Sequence, residues 1–281
     1  MSIVAMTREM GSLGKDVAEG LARDLGLRLL YHEIIDSVAD KAHMPPNVIT
    51  RFLQGKVGVI DSLRVDLDAI SLYTAEEVLD LASKGNLMIR GWGATSLLRP
   101  VSSVLRVRVC APLALRTQRI MERLGIDDPE LALDEIKKSD AAHAASMLRR
   151  FGIHWQDAEH YDLSLNTERL SVGDCIEQIK DLLTRPAFQE SAKSRTELLN
   201  LTLSTHIQSA LRNDPKTREV RILIANHSNG NAGNVVLQGI VTNDAEKRMV
   251  EDMASRFPGV LAVDSELRVM TNRKISRALD G

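Results

Sequence analysis

The chain has 281 residues, which at roughly 150 residues per domain favours two domains over one. Hydrophobic residues are 44% and charged residues 26%, ordinary globular usage, so disorder, collagen and coiled-coil architectures are excluded. A net charge of −2 leaves no global basic field, and two Trp, three Tyr and four Phe are too few for a base-stacking platform; nucleic acid is not an expected partner.

Ser2–Met6 is a short apolar run with β-branched residues and predicts a strand. The glycine-bearing TREMGSLGKD follows, and VAEGLARDLGL then shows helical spacing. Further strands are predicted over Arg28–Tyr31, Asn86–Arg90, Val104–Val109 and Tyr161–Asn166. Helical patterns lie between them at His32–Ala42, Thr74–Ser83, Leu113–Leu124, Pro129–Phe151 and Val172–Leu183. Such alternation argues for a parallel α/β sheet with helices on both faces. After Arg185 the polar PAFQESAKSRTE reads as a linker. A helix (Leu198–Arg212), two strands (Glu219–Ala225, Val235–Val241), a helix (Asp244–Arg256) and a strand (Leu261–Val269) follow, an α-β-β-α-β order whose first two strands are joined by NHSNGNAGN. No apolar run reaches the roughly 18 residues of a membrane span, and Arg8 and Glu9 interrupt any signal-peptide stretch. With only Cys110 and Cys175 and no CxxC, the chain is expected to be cytoplasmic, without a transmembrane segment.

Chemistry concentrates in TREMGSLGKD. A glycine loop between a first strand and a first helix turns tightly and aims N–H groups at the helix N-terminus, where an anion fits. Measured against GxxxxGK[ST], Glu9 stands where the first Gly belongs and Asp16 where Ser or Thr belongs. A turn that uses glycine for geometry alone is the competing reading, and these residues leave both open. Between Arg90 and Arg123 the chain carries Arg90, Arg99, Arg106, Arg108, Arg116, Arg119 and Arg123 against one acid, Glu122. Arg116, Arg119 and Arg123, at i, i+3 and i+7, are expected on one helix face, either solvated or turned to phosphate.

IVAMTREMGSLGKDVAEGLARDLG, RVRVCAPLALRTQRIMERLGI, IKKSDAAHA and YDLSLNTERLSV resemble, in order, the cytidylate kinase-like family of P-loop nucleoside monophosphate kinase relatives. The resemblance implies a P-loop kinase-like domain over residues 1–187 that phosphorylates CMP or dCMP with ATP and Mg²⁺. Arg8, Gly11, Ser12, Gly14 and Lys15 would then hold the donor phosphates and Asp16 the metal. Arg116, Arg119, Arg123, Arg149 and Arg150 would neutralise the transferring group. Asp140, His143 and Arg90 would meet the acceptor. The sequence departs from the family pattern at several of these: Gly14 falls at the phosphate-binding lysine and Asp16 at the metal-binding threonine, His143 replaces an arginine, and Trp92 in GWGA replaces another. A catalytically inactive, nucleotide-binding regulator is the alternative these departures imply.

ALRNDPKTREVRI, VVLQGIVTNDAEKRMVEDMASRFPGV and VDSELRV resemble the BON domain, giving a small α+β module over 199–272 after a linker at 188–198 and before a tail at 273–281. That resemblance implies an interaction module, with a protein or phospholipid partner.

Overall fold

The computed structural model describes residues 2–30, 33–53, 66–226 and 232–270. The chain divides into two compact units, Met1–Ser194 and Arg195–Gly281.

The first unit is built on a five-stranded parallel sheet in the order β2-β3-β1-β4-β5, from β1 (Ile3–Arg8), β2 (Arg28–Leu30), β3 (Leu87–Arg90), β4 (Leu105–Cys110) and β5 (Leu163–Asn166). β1 lies in the middle, and its nearly continuous apolar run is what a strand covered on both faces requires. It runs two residues beyond the predicted Met6. Thr7 and Arg8 pair with Arg108 and Val109 of β4, so both belong to the sheet rather than to the loop.

Helices α1 (Gly14–Leu25), α2 (Glu33–Ala42), α3 (Pro46–Leu53), α4 (Leu67–Ser83), α5 (Ala94–Leu97), α6 (Leu113–Leu124), α7 (Pro129–Phe151) and α8 (Val172–Leu183) complete the unit. Val17, Ala18 and Leu21 of α1 join Cys175, Ile176 and Ile179 of α8 and the sheet residues Met6, Val107 and Val109 in one core cluster. α4 begins seven residues before the predicted Thr74 because Asp66 caps it, accepting from Ala69 N–H at 3.0 Å. α3 and α5 are too short for periodicity to reveal, and His32 lies outside the described residues.

The second unit contains α9 (Ala192–Asn213, which begins in the first unit's last residues), β6 (Ile222–Asn226), β7 (Asn234–Val241), α10 (Asp244–Ser255) and β8 (Ala262–Val269). The α-β-β-α-β order holds: β6 pairs antiparallel and β8 parallel with β7. Ile207, Leu211, Val235, Leu237, Val250, Ala254 and Leu267 form its core. α9 starts inside the expected linker. Ser191 and Ser194 cap it reciprocally, each backbone N–H donating to the other's hydroxyl at 2.9 and 3.1 Å. Of the NHSNGNAGN connection, residues 227–231 lie outside the described residues, as does the 273–281 tail. Among the described residues no helix is long and apolar enough to cross a membrane.

Candidate functional site

The C-terminal ends of β1, β3 and β4 meet beside the point where strand order reverses, the place where open parallel sheets form a ligand crevice. Residues 9–13 leave β1 there and enter α1. Glu9 anchors the loop: its N–H donates to Val109 O at 3.0 Å, and the Ser12 N–H and hydroxyl return to Glu9 O at 3.2 and 2.8 Å. The buried Glu9 carboxylate accepts from Arg108 Nη2 at 2.6 Å and from Ala111 N–H at 3.2 Å, and lies 3.2 Å from Arg116 Nη1. The residue in the place of the motif's first glycine is therefore a buried acid tying the loop to β4.

The next three carbonyls are all drawn outward. Met10 O accepts from Arg116 Nε at 2.9 Å, Gly11 O from Arg119 Nη1 at 3.4 Å, and Ser12 O from the Thr167 hydroxyl at 2.9 Å. Gly11 has φ +80°, and a Cβ there would sit 2.8 Å from Arg116 O. Leu13, the left-handed residue before α1, makes no side-chain cap, so the first-turn amides of Gly14, Lys15 and Asp16 have no capping side chain. With carbonyls turned away and amides left at a helix N-terminus, the loop offers donors and partial positive charge to an anion.

The α6 arginines do not share an open face. Arg116 is only 4% exposed, and besides Met10 and Glu9 it binds Asp140 of α7. Arg119 donates to the Thr167 hydroxyl and carbonyl at 2.9 and 2.8 Å. Only Arg123 of the three is exposed. The i, i+3, i+7 spacing thus places two arginines inward as supports of the loop, which corrects the expectation of a single phosphate-facing or solvated stripe.

Lys15 and Asp16 are exposed on the first turn of α1; Lys15 Nζ lies 3.7 Å from Glu19 Oε1, which is 3.8 Å from the buried Arg90 Nη1. On α7, burial raises the Asp140 carboxyl above its usual range, an effect the Arg116 guanidinium partly opposes. His143 approaches the Thr7 hydroxyl at 3.2 Å and meets Trp155 edge-on at 4.4 Å. Burial first, then the Arg150 and Arg8 charges, hold its pKa down to about 4, so the imidazole that replaces an arginine is neutral at pH 7. Arg150 donates to Trp92 O at 3.4 Å, and Arg149 lies over the Phe52 ring at 5.6 Å. The GWG turn is left-handed throughout, with φ of 88°, 60° and 71° at Gly91, Trp92 and Gly93.

A family model described as the cytidylate kinase-like family matches residues 3–169. The chain belongs to the cytidylate kinase-like family. Its second unit is a BON domain, matched over residues 201–271. Two cytidylate kinases resemble this family member. The one from Natronomonas pharaonis is 29% identical over 170 residues, 60% of this chain and 82% of that protein. The one from Staphylothermus marinus is 29% identical over 121 residues, 43% of this chain and 64% of that protein. The crystal structure of an uncharacterized protein from Eubacterium ventriosum shares the fold, with a TM-score of 0.53 and 22% identity over 66% of this chain and 100% of that one. The first unit is accordingly nucleoside monophosphate kinase-like. Glu9 and Thr167, which help to hold the cytidylate kinase-like loop in shape, were not among the expected site residues, and Arg108 was visible only as one member of the arginine run. Glu9 was visible only as a mismatch to the glycine motif, and Thr167 carried no local signal.

Proposed function

We propose that the loop binds the phosphates of ATP and that the first unit transfers the γ-phosphoryl to a nucleoside monophosphate, CMP or dCMP. The observation that carries the reading is the uncapped N-terminus of α1 beneath three carbonyls held outward by Arg116, Arg119 and Thr167. Gly11 and Ser12 shape that cradle, and the amides of Gly14 and its neighbours face the donor. Asp16, an exposed carboxylate in the first turn, is the candidate Mg²⁺ ligand. The metal, when bound, neutralises charge on the phosphates. Arg116 and Arg119 keep the loop in its anion-binding form, whereas Arg123 and Arg149, whose side chains are exposed, would close onto substrate phosphates.

For the acceptor, both Arg116 bonds to Asp140 fall on Oδ2. Oδ1 then serves the exocyclic amine of cytosine, a donor that uracil replaces with an acceptor. Arg90, at the end of β3, and the neutral His143 flank this acceptor side. The reading belongs in the cytoplasm, where ATP and nucleoside monophosphates meet, and it agrees with two unpaired cysteines. The BON domain acts as an interaction module for a protein or phospholipid.

A coupled ATP-consumption assay over CMP, dCMP, UMP and AMP, with calorimetric ATP binding on the same preparation, tests this. Turnover with CMP or dCMP above UMP supports it. ATP binding without turnover favours a nucleotide-binding regulator, the reading suggested by Lys15 engaging Glu19 rather than the loop. No ATP binding overturns both.

A further inference from the structure

We infer that Glu19 is a built-in competitor for the glycine loop's lysine: its carboxylate holds Lys15 off the loop, and an anion that recruits the ammonium has to displace it. The inference rests on the loop being a triphosphate site that Lys15 can serve. Lys15 Nζ lies 3.7 Å from Glu19 Oε1, one turn further along α1. The same oxygen lies 3.8 Å from Arg90 Nη1. Lys15 and Arg90 are two of the cations expected to meet phosphate, and a single carboxylate oxygen stands against both.

The arrangement follows from how α1 packs. Val17, Ala18 and Leu21 turn one face of the helix into the core, which leaves residues 15 and 19, four positions apart, together on another face. That face meets the end of β3, where Arg90 is the last strand residue and its side chain is only 8% exposed. A buried guanidinium has little freedom, so it fixes the carboxylate from the sheet side. Lys15, with a side chain 57% exposed, is the mobile partner on the helix side. Glu19 is thus anchored within reach of the lysine.

The ammonium then has two arrangements. In one it pairs with Glu19, about 6 Å along the helix axis from its own residue toward the C-terminus. In the other its flexible stem swings back toward the first-turn amides, where an anion sits. Only the second assists binding, and the apparent affinity for an anion falls with the fraction of molecules in which the lysine is already engaged. An exposed pair of this kind is worth no more than about fivefold, so the contact tunes phosphate affinity without blocking it. Glu19→Gln removes the charge that holds the lysine and keeps the side chain's length and an oxygen for Arg90.

The test is calorimetric binding of inorganic tripolyphosphate, ATP and adenosine, at low ionic strength, to the full chain and to Glu19→Gln, Lys15→Gln and the double variant, with thermal unfolding alongside. Glu19→Gln should bind tripolyphosphate and ATP at least about twofold tighter than the parent and adenosine equally. The gain should vanish in the double variant, which should match Lys15→Gln alone. A gain of the same size in the Lys15→Gln background overturns the inference, because it marks a long-range charge effect and not a released lysine. Parental or weaker affinity in Glu19→Gln overturns it too and leaves the triphosphate site standing. If Glu19→Gln does not fold, Glu19→Asp, one methylene shorter, carries the comparison: tighter tripolyphosphate binding that Lys15→Gln abolishes supports the assignment, and parental affinity overturns it. Parent protein that binds neither ATP nor tripolyphosphate removes the site and the inference with it.

Discussion

Both terminal nitrogens of Arg116 donate to a single oxygen of Asp140, at 2.9 and 2.6 Å. The same guanidinium reaches Met10 O through Nε and Glu9 through Nη1, so one buried side chain joins α6, α7 and the loop after β1. Its role is architectural first. It stands between the Glu9 and Asp140 side chains, in ion-pair contact with both.

Replacing Arg116 should therefore destabilise the fold before it alters chemistry. Arg116→Met removes the ion-pair partner of Asp140 and leaves Glu9 to Arg108 alone, and removing one partner of a buried ion pair costs about 3–5 kcal/mol. Urea unfolding should show that loss, and adding Asp140→Asn to Arg116→Met should recover part of it. Additive losses would mean the two side chains do not act as a unit.

His143 should make stability depend on pH. Its folded pKa of about 4 lies below the ordinary 6.5, so the unfolded chain binds more protons between those values. The neutral imidazole's contribution is fully present above pH 6.5 and is lost as pH falls through about 4. At about 1.4 kcal/mol per pH unit of difference, the contribution is on the order of 3–4 kcal/mol. The charges acting on this ring are the cations Arg150 and Arg8, both of which oppose protonation, and the ring also contacts the Thr7 hydroxyl and Trp155. Denaturation midpoints measured from pH 4 to 7 should flatten in His143→Gln relative to the parent.

Two glycines separate conformational strain from close approach. Gly125 has φ +65° with open space around it, whereas Gly11 combines φ +80° with a backbone oxygen 2.8 Å from any added Cβ. Gly125→Ala should cost only the left-handed penalty of about 1–2 kcal/mol and spare ATP affinity. Gly11→Ala should cost more in thermal unfolding and weaken ATP binding, because the loop must shift away from Arg116. Equal behaviour of the two variants would show that the loop tolerates displacement.

The domain division we propose, 1–187 and 199–272 about a short connection, makes a prediction from core membership. The cluster around β1, α1 and α8 draws only on residues up to Phe188, and the BON cluster only on residues from Leu203 onward. A fragment of residues 1–189 should fold and bind ATP with parental affinity, and residues 190–281, which keep the Ser191–Ser194 cap, should fold separately. Loss of cooperative unfolding in either fragment would mean that the division is wrong.

The amino-acid sequence alone determined the alternation of strands and helices and the bounds of α6, α7 and α8, which run Leu113–Leu124, Pro129–Phe151 and Val172–Leu183 as periodicity predicts. The signals there are local: Gly125 and Gly152 end their helices in the left-handed conformation, Asp128 and Ser171 cap, and Pro129 starts α7. It also located the glycine loop, since only a few residues permit such a turn. Tertiary structure decided what each charge does. Arg116 and Arg119 meet carbonyls lying 106 and 108 positions earlier, and helical spacing cannot show that two of three arginines turn inward. Arg8 and Lys15 both read as cations of the loop from their neighbours in sequence. The extension of β1 through Arg8, set by pairing with β4, and the missing Cβ of Gly14 put the arginine stem under the helix. Which donors face an anion depends on how strands a hundred residues apart align, and that is a property of the packed sheet.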